Sequence, residues 1–378
     1  MTRAADVEAF RPVWAEVDLE AVRANVRSLG ALVSPAALCA VVKADGYGHG
    51  AVAVGRAAVE AGAGCLAVAL VEEGVQLREA GINAPILVLS EPVPAAAETV
   101  VTHRLIPVVY TATGIDALAK AVLTHGTESI DVHLKVDTGM HRVGCDPVDA
   151  VELAAHVVNR PELRLAGVCT HFAVADEPGN DYTDAQQRTF ERVLAKIRAR
   201  HLPTGVVHAC NTAGALVLPD ARYDMVRIGI GIYGLAPSPA LAGAVDLVPA
   251  MAVKARVSYV QSLPAGARLS YGLRYETSKP TRVATVPIGY ADGVPRELSE
   301  RGGGVLIGGR RYPMAGTVTM DQLMVDVGDQ AVEVGDEVVL IGSQGGVRIS
   351  ADDWAARMQT IAYTVVCGVG PRVPRRYS

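Results

Sequence analysis

"LCAVVKADGYGHGAVAVGRAAVEAGAGCLAVA", residues 38–69, sets two apolar runs around one amphipathic segment. Short apolar runs flanking a helix-length stretch predict a strand, a helix and a second strand parallel to the first, here Leu38–Lys43 and Cys65–Ala69. The unit recurs. Further strands are read at Ile86–Ser90, Ile106–Tyr110, Asp131–Asp137, Leu165–Thr170, Gly205–Ala209 and Met225–Ile228, alternating with helix-period stretches such as "GIDALAKAVLTHG" (114–126) and "DAQQRTFERVLAKIRARH" (184–201). Eight strands with helical crossovers is the count that closes a (β/α)8 TIM barrel, which places the fold in the α/β class over residues 1–240.

Beyond residue 240 the pattern changes to short alternating strands between Gly and Pro turns, as in "AVKARVSYVQSLPAGARLSYG" (252–272) and "VEVGDEVVLIG" (332–342). One helix is predicted at "SADDWAARMQ" (350–359) and a closing strand at "IAYTVVCGVG" (361–370). Residues 241–378 therefore read as a C-terminal mostly-β domain, with the first residues, 1–12, packing on it.

The chain has 378 residues, half of them apolar, and a net charge of -5. That charge gives no footprint for nucleic acid or an anionic membrane. No apolar run reaches the length of a membrane span and the first residues carry no signal-like core, so a cytoplasmic protein is expected. The six cysteines (Cys39, Cys65, Cys145, Cys169, Cys210, Cys367) form no C-x-x-C pair and are read as reduced core residues. The nine histidines show no metal-ligand spacing such as H-E-x-x-H, so no metal is expected.

A barrel of this kind carries its chemistry at the C-terminal ends of its strands. The unusual polar residues gather there. Lys43 ends the first strand, Lys135 and Asp137 the fifth, and His171 follows the sixth. His208 closes the seventh, with Asn211 and Thr212 just beyond, and Arg227 lies at the end of the eighth before Gly229 and Ile230. The loops after strands seven and eight, "HACNTAG" and "RIGIGIYG", offer a hydroxyl and glycine-flanked amides to a phosphate, although Thr212 as a plain helix cap is the alternative. An anion site, a lysine amine and a partner for a ring nitrogen are what pyridoxal phosphate requires.

With "AVVKADGYGHG" (40–50), the motifs "LKVDTGMHRVG", "THFAVAD", "HACNTAG", "VRIGIGIYG", "LSYG", "PIGYADG", "TMDQ" and "PRVPR" resemble those of the alanine racemase family, in that family's order and over almost the whole chain. The resemblance implies a pyridoxal-phosphate isomerase that interconverts L- and D-alanine for peptidoglycan, with Lys43 holding the cofactor. By position, Tyr47, Thr212, the Gly229 and Ile230 amides and Tyr363 would surround the phosphate, with Asn211 and His171 also at the cofactor. Arg227 would face the pyridine nitrogen, supported by His208. Arg142 and the Met320 amide would bind the substrate carboxylate.

The resemblance further implies a homodimer in which Tyr271, with Tyr290, Met320 and Asp321 nearby, comes from the β domain of the other subunit. Racemisation takes a proton from one face of the substrate and returns one to the other, so two bases are the direct solution, Lys43 and Tyr271. A phenol is a poor base near neutrality unless its anion is stabilised; Arg227 acting through His171 would supply that. A guanidinium donates to the ring nitrogen without protonating it, making the ring a weaker electron sink than a carboxylate partner would and favouring prompt reprotonation.

The resemblance implies that Lys135 would be N-carboxylated and would orient Arg142; an ordinary Lys135 paired with Asp137 is the alternative. Thr212 departs from the commonest family pattern but keeps the hydroxyl, whereas the departures His141, Thr317 and Thr319 bear on the entrance and the site. Another amino-acid racemase or decarboxylase on the same scaffold is the nearest rival, and a non-catalytic pyridoxal-phosphate carrier would not need Tyr271. "VDTG" (136–139) also matches an aspartic-protease loop, but no second copy exists to share its proton.

Overall fold

After strand β1 (Val13–Val17), eight strands run parallel in one sheet: β2 (Ala37–Val41), β3 (Cys65–Val68), β4 (Ile86–Val88), β5 (Ile106–Val109), β6 (Ile130–Lys135), β7 (Leu163–Cys169), β8 (Val206–His208) and β9 (Met225–Ile228). This is a computed structural model, and it describes residues 10–378. Each strand from β2 to β7 pairs with the next, and β9 pairs with β2, giving the order β8-β7-β6-β5-β4-β3-β2-β9. Between β8 and β9 the barrel is joined by the Asp224 N–H to Val207 O and Arg227 N–H to Cys210 O bonds, 3.1 and 2.9 Å, and no full ladder is present among the described residues. The barrel is nearly closed.

The interior explains why these runs are strands. Val108, Ile86, Leu66, Ala67, Val68, Leu134 and Val168 are fully buried, and strands covered on both faces need continuous apolar residues in place of alternation. Each such Leu, Ile or Val removed from water stabilises the fold by roughly 1.5–3 kcal/mol. All the barrel strands but β9, which ends at Ile228 as expected, end one or two residues before the expected limits, because Lys43, Ser90, Tyr110 and Asp137 already belong to the segments that leave the barrel.

The chain divides into two units, Glu20–Gly46 with Gly50–Pro249, and residues 10–19 with Tyr47–His49 and Ala250–Ser378. The second holds a seven-stranded sheet in which β1 runs antiparallel to Met251–Arg256 and parallel to Arg375–Tyr377. A three-stranded sheet joins Tyr259–Leu263, Thr281–Val286 and Leu323–Gly328. Most of the expected packing segment 1–12 lies outside the described residues, but β1 directly after it is a central strand of this unit.

Two expectations are corrected. Residues Ala362–Cys367 form a helix, not a strand. Ala362, Val365 and Val366 are its buried residues, a helical spacing that a run this short shares with a buried strand. Cys367 is exposed, whereas Cys39, Cys145, Cys169 and Cys210 are buried.

Candidate active site

The barrel unit concentrates its buried polar groups where β6 to β9 end. The register puts Cys39 of β2 opposite Arg227 and Ala40 opposite Ile228, so Lys43 and Arg227 leave neighbouring strands at the same end. Arg227 is buried at 4% exposure and its guanidinium is held from four sides. Nη1 donates to His208 Nδ1 at 2.6 Å, and Nη2 meets Thr170 O, Ala209 O and His171 Nδ1 at 2.8, 2.8 and 3.0 Å. A guanidinium can only donate, so both imidazoles turn a bare nitrogen toward it and carry their protons on Nε2.

Electrostatics keep those rings neutral. Burial first, and then the Arg227 charge, hold the His171 and His208 imidazoles well below the ordinary histidine value. His133, which contacts His208, is brought down to about 4 by burial, with Asp131 opposing and Arg227 reinforcing the shift. An unfolded chain protonates this histidine near pH 6.5, so it binds more protons than the folded chain from there down to about pH 4. Stability therefore falls as pH drops through that window, by about 3 kcal/mol for His133 alone. Denaturant midpoints at pH 7 and pH 4.5 should show it, and His133→Asn should flatten the slope by a comparable amount. An unchanged slope would contradict a neutral buried His133.

Lys135 ends β6 and is buried at 8% exposure. Burial lowers its ammonium to about 8; the Cys169 and Asp137 side chains oppose that shift, while Arg227 and Arg142 reinforce it. Asp137 is otherwise engaged. Its Oδ1 accepts the Gly139 and His141 N–H groups, both at 3.0 Å, and its Oδ2 lies 3.3 Å from His141 Nδ1. Among the described residues the ion pairs include none between Lys135 and Asp137. Arg142 lies exposed in the loop that follows.

On the β9 side, the Gly229 N–H donates to Thr212 Oγ1 at 3.0 Å, which leaves the Thr212 hydroxyl proton for another acceptor. The neighbouring Ile230 opens a 3-10 turn, whose first amides have no acceptor within the turn. Asn211 caps the helix Thr212–Val217, with Oδ1 accepting the Gly214 N–H at 3.0 Å.

Lys43 stands at the start of an unusual turn. Ala44, Asp45 and Gly46 are all left-handed (φ 52, 50 and 60°), and so is Tyr47 (φ 51°). For a residue with a side chain this conformation costs roughly 1–2 kcal/mol. Glu73 offsets part of that cost. Its carboxylate accepts the Ala44, Ala69 and Leu70 N–H groups at 2.6, 2.8 and 3.0 Å, while Asp45 Oδ1 takes the Ala51 N–H at 2.9 Å.

The other unit presents a second set of expected residues. Tyr47 and Tyr363 pack with ring centroids 6.0 Å apart. Tyr271 is 71% exposed, and Met320 and Tyr290 are also exposed. Ser270 Oγ donates to Thr317 O at 2.6 Å and Thr317 Oγ1 to Tyr271 O at 2.9 Å, so the departure Thr317 fixes the backbone that carries Tyr271. The Tyr290 and Ala291 N–H groups bond Thr319 O and Met320 O, both at 3.0 Å. Only glycine fits before them: a Cβ on Gly289 would lie 2.2 Å from Thr319 O. A cavity of about 380 Å³ is lined by Ser270, Tyr271, Thr285, Thr319, Gln322 and Met324. Asp321 pairs with Arg372 at 2.6 Å.

Residues 17–237 match the family model "Alanine racemase, N-terminal domain", and residues 250–377 match "Alanine racemase, C-terminal domain". The chain belongs to the alanine racemase family. It is 50% identical over 373 residues to an alanine racemase of Symbiobacterium thermophilum, covering 98% of each chain. A crystal structure of alanine racemase from Bacillus anthracis with bound L-Ala-P is similar with a TM-score of 0.92 and 37% identity, over 98% of this chain and 95% of that one. A histidine racemase from Leuconostoc mesenteroides is similar over 98% of both chains, with a TM-score of 0.90 and 30% identity. The scaffold alone therefore does not select the amino acid.

Several site-building residues escaped the motif reading. Gln186 is buried and ties Ala173 N (2.9 Å) and His171 O (3.1 Å) together, holding the loop that carries His171. Thr138 and Thr170 meet hydroxyl to hydroxyl at 2.8 Å below it. Gln186 was legible only as a polar residue on the apolar stripe of helix Asp181–Ala199. Glu73 was legible as the third residue of a helix whose cap position, Leu70, has no side-chain oxygen.

Proposed function

We propose that this protein interconverts L- and D-alanine with pyridoxal phosphate held at Lys43, and that the buried Arg227 carries the reading. A permanent cation fixed by two neutral imidazoles and two carbonyls has more N–H donors than these acceptors use, and so retains one for a ring nitrogen. The Thr212 hydroxyl and the Ile230 amide fit the phosphate, with the Gly229 N–H orienting Thr212 Oγ1 and Tyr47 and Tyr363 as further partners. When bound, the cofactor supplies an electron sink for the charge left when the α-proton departs.

The chain's own groups then divide the work. Arg142 and the Met320 N–H bind the substrate carboxylate. Lys43 Nζ takes or returns the α-proton on one face, and the Tyr271 phenol oxygen serves the other. His171, with its Nδ1 on Arg227, has its Nε2–H to donate to that phenolate. Tyr271, Tyr290 and Met320 are proposed to come from a second copy of this chain in a homodimer, since a face carrying such exposed residues suits an interface. The protein is proposed to act in the cytoplasm, where thiols stay reduced, and no described helix is long and apolar enough to cross a membrane.

Lys135 is proposed to be N-carboxylated. The neutral amine attacks carbon dioxide, an N–C bond forms and one proton leaves, turning a buried cation beside Arg227 and Arg142 into an anion. An amine titrating near 8 has a far larger neutral fraction at pH 7.5 than an ordinary lysine near 10.5. Protein equilibrated with 13C-bicarbonate is expected to show one carbamate carbonyl signal that Lys135→Ala removes; its absence from the unmodified sequence would contradict the assignment.

Purified protein supplied with pyridoxal phosphate should racemise L-alanine with a higher kcat/KM than L-serine, L-lysine or L-histidine, read by chiral separation. Preference for histidine would move the protein to another branch of the same scaffold, and no turnover of any of them would overturn the proposal.

A further inference from the structure

We propose that His133 is a positioning residue of this reaction, fixing His208 as its Nε2–H tautomer so that the His208 Nδ1 lone pair stays on Arg227. The inference rests on the role given to Arg227 above. His133 Nδ1 lies 2.8 Å from His208 Nε2, with ring centroids 5.0 Å apart. Both rings are buried, at 7% and 0% exposure. Arg227 can only donate, so His208 Nδ1 must accept and His208 Nε2 must carry the proton. That buried N–H needs an acceptor, and His133 Nδ1 supplies it. The alternative tautomer would turn an N–H of His208 against an N–H of Arg227.

The barrel is shaped around this ring. β6 and β7 shift register between Val132 and His133, and His133 then stands opposite Gly167. A Cβ on Gly167 would lie 2.6 Å from His133 Nδ1, so only glycine leaves room for the imidazole there. His133 also lies two residues before Lys135, which places both on the same face of β6.

The test reads tautomers directly, in protein without cofactor, by 15N NMR of labelled histidine, with His133→Asn and His133→Leu as variants. Asparagine can keep an acceptor near the Nδ1 position; leucine cannot. Wild type and His133→Asn are expected to show His208 with a bare Nδ1 and a protonated Nε2, with kcat for alanine within about threefold of each other. His133→Leu is expected to lose that signature and about tenfold or more in kcat, with KM changed less than kcat. His133→Phe repeats the test with a ring if the leucine variant does not fold. Full retention of the signature and of kcat in the leucine or phenylalanine variant would overturn the proposal, as would equal losses in His133→Asn. So would wild-type His208 protonated on Nδ1, whatever the variants do. Because the tautomer is read without substrate, a protein that orders His208 yet does not racemise alanine would sink the function and leave this arrangement standing.

Discussion

Replacing Tyr271 with phenylalanine is expected to slow α-proton exchange by about 10³-fold for one enantiomer of alanine and by less than about tenfold for the other. The asymmetry follows from two bases on opposite faces. The enantiomer whose α-hydrogen faces Lys43 can still lose it to Nζ and regain a solvent proton there. Its mirror image, whose hydrogen faces the missing phenol oxygen, cannot. Net racemisation needs both faces, so it falls to a similar extent from either direction. Removing one hydroxyl from a side chain that is 71% exposed in the single chain should leave stability almost unchanged. Deuterium exchange of L- and D-alanine followed by proton NMR separates the cases. Equal, minor slowing from both enantiomers would remove Tyr271 as a base.

Lys43→Ala is expected to remove more than about 10⁴-fold of the activity, because in the proposed mechanism one amine both holds the cofactor and serves one face. This variant and Tyr271→Phe together test where the two bases come from. If Tyr271 serves a second copy's barrel, a mixed dimer has one site with both defects and one with neither. Equal mixing with subunit exchange should then recover about a quarter of the wild-type rate. If each subunit uses its own Tyr271, every site in the mixture carries one defect and nothing is recovered. The circular dichroism of Lys43→Ala should stay close to that of the wild type, since Glu73 accepts the Ala44 N–H and Asp45 the Ala51 N–H around the left-handed turn that follows.

The barrel was legible in the sequence because its strands are covered on both faces and so appear as short apolar, β-branched runs at regular spacing. Their ends were not. A strand stops where its hydrogen-bond register stops, and at Lys43 and Asp137 the backbone has already turned although the run of side chains continues. The helix Ala362–Cys367 was misread because β-branched residues in a six-residue element outweigh a period that has barely completed one turn. The polar residues at the barrel end were legible one at a time from their places at the ends of apolar runs, and their order along the chain matched a family. Their mutual arrangement was not legible. That His208 faces Arg227 with a bare nitrogen, that Glu73 clasps two strand exits, and that Gly167 makes room for His133 all depend on contacts between strands far apart in sequence.

The two-base account is tested most directly by letting L-alanine react in deuterated water and stopping the reaction early. The D-alanine formed should carry deuterium at the α-carbon in nearly every molecule, because the base that reprotonates it is not the one that removed the original hydrogen. D-alanine that retains the original α-hydrogen in substantial yield would mean that a single base carries the proton from face to face, and would contradict the paired roles of Lys43 and Tyr271.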